Sequence, residues 1–145
     1  MYEIILKVHS ILRWAVLVFG VLAFIKGIQG ARNKTAYTDS DRKMGLFYLI
    51  SAHTQLLLGL ILYFFLSPIT AAALQDFGSA MKSPDLRFYA VEHLITNLVA
   101  IAIITIAYSK NKRATDSQER HKRAWKLYGL ALILIISRIP WERLF

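Results

Sequence analysis

Four histidines are the residues of this chain whose type and placement could do chemistry. One lies in or beside each of four apolar segments, at His9, His53, His93 and His121. An ionisable side chain inside an apolar segment is costly in free energy, so it is a functional candidate by default. Imidazole binds metals and exchanges protons near neutral pH, and these are the two chemistries that the histidines offer.

The segments that position these histidines each have about the length of a membrane-spanning helix. Such helices need about 20 residues, with about 17–25 usual. The fourth segment is the weakest, because Lys126 and Arg138 must reach toward opposite interfaces to extend its uncharged run. The sequence predicts one all-α domain, an up-down four-helix bundle in the membrane, with helices over about 4–28, 44–66, 88–108 and 124–140.

The composition of the chain excludes several other classes of protein. Hydrophobic residues make up 56% of its 145 residues and charged residues 19%, against about 45–50% and about 25% in soluble domains. This apolar excess is typical of a membrane protein and excludes a disordered chain. Cysteine is absent, which excludes disulfides, thiolate zinc sites, iron–sulfur clusters and covalently attached haem.

The net charge of +9 is concentrated in the connections between the apolar segments. This distribution indicates membrane topology and argues against nucleic-acid binding, because cytoplasmic connections carry the excess of Lys and Arg. The first and third connections are the basic ones, whereas the middle connection holds only Lys82 and Arg87. Both termini are therefore predicted on the non-cytoplasmic side of a bacterial inner (cytoplasmic) membrane that the chain crosses several times.

His9 and His93 are predicted to lie at the same depth. Each is about five residues inside the outer end of its segment, which corresponds to about 7 Å. The first and third segments run in the same direction and are diagonal neighbours in an up-down bundle. Two imidazoles facing each other across such a core suit the two axial positions of a b-type haem. Arg13, one turn from His9, and Arg138 are the candidate partners of its propionates.

His53 and His121 form a second candidate pair, on the second and fourth segments. Their depths match less well, since His53 is deep in its segment and His121 precedes the apolar run of the fourth. A simpler alternative stays open for every histidine near an interface, namely hydrogen bonding to water or headgroups. The glycines of the segments are equally consistent with plain helix packing.

Four stretches of the chain, each with one histidine, resemble a family of short bacterial four-helix membrane proteins identified as "cytochrome B". They are residues 9–14 (His-Ser-Ile-Leu-Arg-Trp), 51–59 (Ser-Ala-His-Thr-Gln-Leu-Leu-Leu-Gly), 87–93 (Arg-Phe-Tyr-Ala-Val-Glu-His) and 121–123 (His-Lys-Arg). The resemblance implies one or two non-covalent haem b groups held by axial histidines. It also implies electron transfer in a respiratory membrane, with quinol and a larger respiratory complex as candidate partners.

Two other functions stay open from the sequence. The chain suits a non-redox structural or assembly subunit of a membrane complex, and buried histidines also suit a proton or metal transporter. The residues show no substrate-transforming centre, so electron transfer is favoured over a stand-alone enzymatic activity. The oligomeric state is left open.

Overall fold

The computed structural model describes residues 2–66 and 68–139, and all the regular secondary structure in these ranges is helical. The predicted end of the fourth segment at residue 140 lies outside the described residues. In chain order the structure contains α1 (Tyr2–Asn33), α2 (Asp39–Ile61) with a π-helical turn (Leu62–Leu66), α3 (Pro68–Gln75), α4 (Phe77–Ala80), α5 (Pro84–Arg87) with a π-helical turn (Phe88–Glu92), α6 (His93–Arg113), α7 (Ser117–Arg123) with a π-helical turn (Ala124–Tyr128), and α8 (Gly129–Ser137).

Three of these helices are long and apolar enough to cross a membrane, over Tyr2–Asn33, Asp39–Leu66 and His93–Arg113. These three helices contain most of the first three predicted segments. Each continues beyond at least one end of its segment into the adjoining polar residues. The fourth predicted segment corresponds to the continuous helix formed by α7, its π-helical turn and α8, although the described part ends before residue 140. The middle connection folds into the short helices α3, α4 and α5.

Local hydrogen bonds at the helix starts explain where the long helices begin. Asp41 accepts from the backbone N–H of Thr38 at 2.9 Å, which completes a capping box at the start of α2. Asp116 accepts from the backbone N–H of Glu119 at the start of α7. Pro84 occupies the first turn of α5, where its missing N–H is harmless.

The long helices pack with small residues inward and large apolar residues outward. α1 packs against α2 and also along α7 and α8, while α6 packs against α2 and α8. Much of the core consists of alanines, together with Tyr48 and Tyr128. Large apolar side chains are exposed along the helices, among them Val18, Leu57 and Ile133. This arrangement is typical of helices whose outer faces contact lipid.

At Gly27, the backbone of α1 lies directly against the backbone of the last helix. A Cβ atom at Gly27 would lie 2.7 Å from the backbone nitrogen of Trp125. A backbone atom cannot move aside as a flexible side chain can, so this contact requires glycine. At Gly78, by contrast, the nearest atom to an added Cβ is 3.8 Å away.

We expect Gly27→Ala to destabilise the protein by about 1–2 kcal/mol, since overpacking costs about 1–3 kcal/mol and outweighs the better helix propensity of alanine. The unfolding temperature in a fixed detergent, followed by circular dichroism, is the measurement. Gly78→Ala is the matched control and should unfold within about 0.5 kcal/mol of the parent. Equal unfolding temperatures for both variants would contradict the close approach at Gly27.

Candidate functional site

His9 and His93 lie together in the structure, as the sequence analysis predicts. Their ring centroids are 6.4 Å apart, and the ring planes are inclined at 79°. His9 comes from the first turns of α1, and His93 is the first residue of α6, directly after the π-helical turn Phe88–Glu92. Such wide turns occur often at functional sites. Here the turn immediately precedes the histidine that faces His9.

Both histidines line a cavity of about 380 Å³, within the range of small-molecule and cofactor sites. Most of the lining is apolar and comes from α1, α2, α3, α6 and the last helix. α3 covers the cavity with Ile69 and Thr70, and the Thr70 hydroxyl donates to the Tyr63 carbonyl at 2.7 Å. The lining also includes the exposed side chains of Glu3 and Lys7, so the cavity reaches the surface at the end where α1 begins.

The orientation of His93 follows from a hydrogen bond to the last helix. Its Nδ1 lies 2.8 Å from the backbone carbonyl oxygen of Arg138. A carbonyl can only accept, so Nδ1 carries the proton and Nε2 carries the lone pair. Metal-ligating histidines have this arrangement, in which the second ring nitrogen donates to a carbonyl or carboxylate. Asn97, one turn further along α6, also lines the cavity.

His9 brings an unsatisfied polar group to the cavity. Its Nδ1 is buried and has no hydrogen-bond partner among the described residues. Gln55 also lines the cavity, and its side-chain oxygen is likewise buried without a hydrogen-bond partner among the described residues. The His9 ring packs closely against Gly59, where an added Cβ would lie 3.3 Å from its Cε1 atom. Buried polar atoms without partners are uncommon in folded proteins, and a bound molecule can satisfy them.

The two candidate propionate partners are placed differently. Arg13 lines the cavity and is only 8% exposed, so its positive charge is held beside the two histidines. Arg138 contributes its backbone carbonyl to His93, while its guanidinium donates to the Ser137 carbonyl at 3.2 Å. Arg13 therefore lies where a cation can meet an anionic group inside the cavity, and the role of Arg138 toward such a group stays a prediction.

The separation of the rings permits a test of whether a metal fits between them. A metal–imidazole bond is about 2 Å long, so two histidines that share one metal must have neighbouring rings. The His9 and His93 rings, with centroids 6.4 Å apart, meet this requirement. Among the described residues, no three or more His, Asp or Glu side chains form a group that could bind a metal ion. Two imidazoles with no further protein ligand would suit a cofactor that brings its own remaining metal ligands, as haem does.

His53 lies apart from this cavity, near the middle of the Asp39–Leu66 helix. Its side chain is exposed on the outside of the helices, and its Nε2 is 2.9 Å from the Thr105 hydroxyl of α6. The Thr105 hydroxyl itself donates to the Ile101 carbonyl at 2.7 Å. The imidazole therefore donates through Nε2, and its main contact links α2 to α6.

His121 is buried at the opposite end of the molecule from His9. Its Nε2 lies 3.1 Å from the Thr35 carbonyl oxygen, in the connection between α1 and α2. Its ring packs directly against Gly30, and the Tyr37 ring lies beside it at a centroid distance of 5.2 Å. Burial raises the pKa of Tyr37. The Arg120 guanidinium lies over the Tyr37 ring, 4.5 Å from the ring centroid. These contacts hold the connection between α1 and α2 against α7. His121 and His53 therefore have separate partners.

Several cavity residues were not among the predicted site residues. Gln55 and Asn97 carry no motif, and only the depth of these amides in apolar segments marks them as unusual. α3, which covers the cavity, belongs to the middle connection, and no site residue is predicted there from the sequence. Comparison with known proteins adds no assignment, since no family model, curated protein or solved structure matches this sequence.

We expect His121→Ala to destabilise the protein by about 2–3 kcal/mol, because it removes a buried ring and the hydrogen bond to Thr35. Unfolding temperatures in detergent measure the effect. His53→Ala is the matched control, since it removes an exposed imidazole and should cost less than about 1 kcal/mol. An unchanged unfolding temperature for His121→Ala would show that the ring does not hold the first connection.

Proposed function

We propose that this protein is a membrane b-type cytochrome that holds a non-covalent haem between His9 and His93 and transfers electrons in a respiratory chain. The observation that carries the proposal is the pair of imidazole rings, 6.4 Å apart, that lines an apolar cavity. Haem accepts and releases single electrons at its iron, and the surrounding protein tunes its potential.

The residues around the cavity support this function in distinct ways. The Arg138 carbonyl orients His93 and increases the basicity of its other ring nitrogen. Most of the lining is apolar, and the polarity around a haem is one of the factors that tune its potential. Arg13 supplies the positive charge that a propionate requires. Arg13 and His93 lie on the long helices α1 and α6, and Arg138 directly follows the end of α8.

The membrane arrangement that we propose is a four-helix bundle with both termini on the non-cytoplasmic side of a bacterial inner membrane. The packing of α1 and α6 on either side of α2 and α8 supports the bundle, and the basic first and third connections support the orientation. The haem would then lie toward the outer face, within reach of quinol in the bilayer or of a larger respiratory complex.

A second haem on His53 and His121 stays a prediction. The two rings have separate partners, in Thr105 and in Thr35. Neither lines the cavity of His9 and His93. We therefore propose one haem per chain.

The test is a reduced-minus-oxidised absorbance spectrum of the detergent-purified protein, with haem quantified per chain. The parent and His53→Ala should give a b-type spectrum with about one haem per chain. His9→Ala and His93→Ala should each lose most of the haem, because each variant removes one of the two histidines that would hold it. Circular dichroism checks that the variants are folded.

Two outcomes would contradict the proposal. A parent protein without haem, even when haem is supplied during expression, would exclude the cytochrome and favour the structural subunit. Loss of half of a two-haem content in His53→Ala or His121→Ala would assign a second haem to those residues.

We also expect Arg13→Gln to lower the affinity for haem by about tenfold to one hundredfold. A hydrogen bond to a charged group is worth about 1.5–3 kcal/mol, and the variant removes the charge while preserving much of the side-chain volume. Transfer of haem to an acceptor protein measures the affinity. Arg13→Lys should retain part of it, and equal affinity in all three proteins would show that Arg13 does not meet a propionate.

A further inference from the structure

Two exposed lysines lie close together on the last helix. Lys122 and Lys126 are exposed and lie about one turn apart on the same side of that helix. Within residues 2–66 and 68–139, neither forms an ion pair. At the same end of the molecule, Lys26 pairs with Asp41 at 3.7 Å and Arg123 pairs with Glu119 at 2.7 Å.

The contacts between the last helix and α1 show the level at which these lysines lie. Trp125 packs against Gly27, and His121 packs against Gly30. The apolar sequence of α1 ends at Ile28 and is followed by polar residues. Lys126 is therefore level with the end of the apolar part of α1, and Lys122 lies one turn further into the polar region. Lipid headgroups occupy this level at a membrane surface.

An apolar surface continues from the lysines toward the centre of the helices. Leu130 and Ile133 are 46% and 65% exposed. Gly129 packs against Phe24 and Leu132 lies beside Gly20, so this part of the last helix is level with the apolar part of α1. The exposed surface is thus cationic at one end and apolar along the rest, which matches the two chemical parts of a phospholipid.

An open groove of about 440 Å³ lies beside the two lysines. Its two acidic side chains have partners within α7, since Glu119 pairs with Arg123 and Asp116 accepts a hydrogen bond from the Glu119 backbone N–H. Lys126 lies 5.6 Å from the centroid of the Trp125 ring, which holds the ammonium group near the indole. The groove therefore offers two unpaired positive charges at headgroup level.

We propose that this surface, formed by Lys122, Lys126, Leu130 and Ile133, binds an anionic phospholipid. The two ammonium groups contact the phosphate and the headgroup, and the acyl chains lie along the apolar part. The binding does not depend on haem or on the His9–His93 cavity. It adds a specific lipid contact to the general attraction between basic connections and an anionic leaflet.

Quenching of Trp125 fluorescence by brominated lipids in detergent micelles tests the proposal, in a chain whose Trp14 and Trp141 are replaced by phenylalanine. Brominated phosphatidylglycerol should quench at a much lower mole fraction than brominated phosphatidylcholine. In the double variant Lys122→Gln/Lys126→Gln, the apparent affinity for phosphatidylglycerol should fall about thirtyfold, because each lysine near an anionic surface contributes about fivefold.

The matched control is Lys110→Gln/Lys112→Gln, which removes the same charge from exposed positions at the end of α6. It should leave the affinity within about twofold, and Lys122→Arg/Lys126→Arg should retain binding. Circular dichroism and unfolding temperatures verify that each variant is folded. Equal losses in the two glutamine variants would overturn the proposal in favour of diffuse charge attraction. Equal quenching by the two lipids would also overturn it, as would complete competition by inorganic phosphate.

Discussion

Close contact at small residues holds these helices together, and the placement of the candidate site depends on it. Between helices in lipid there is little hydrophobic driving force, so association depends on packing and on a few polar contacts. α1 has a row of small residues on its inner face. Among them, Gly27 contacts the Trp125 backbone and Gly30 contacts the His121 ring. These contacts set the level of α1 against the last helix. They thereby set the level of His9 against Arg138, whose carbonyl orients His93.

The two imidazoles of the candidate site have unequal surroundings. His93 is oriented by a hydrogen bond to a helix end, whereas His9 has a buried ring nitrogen that no described residue satisfies. A buried polar group without a partner costs free energy, commonly about 1–3 kcal/mol. The cavity beside it is large enough for a ligand, and Arg13 lies in the same lining. A bound group that interacts with this nitrogen would relieve the cost, which connects the energetics of the fold to the proposed redox function.

The two ends of the molecule differ in their chemistry. The end with His9 and His93 contains the cavity and its helical cover, whereas the opposite end contains a dense set of cations and aromatic rings. There His121 and Tyr37 fasten the first connection to α7. The lysines of the last helix face outward at that end. The exposed lysines of the last helix therefore lie at the end of the molecule opposite the cavity.

The helical class, the positions of the apolar segments and the proximity of His9 to His93 can be predicted from the amino-acid sequence. These follow from local properties, namely apolar runs, helical periodicity and equal depth in segments of the same direction. The partners of His53 and His121, the place of Gln55 in the cavity and the use of the Arg138 carbonyl emerge only from the folded arrangement. Each of these depends on how far a helix is rotated and on contacts between distant parts of the chain. The π-helical turn before His93 changes the rotation of α6 about its axis. No apolar pattern in the sequence predicts this turn.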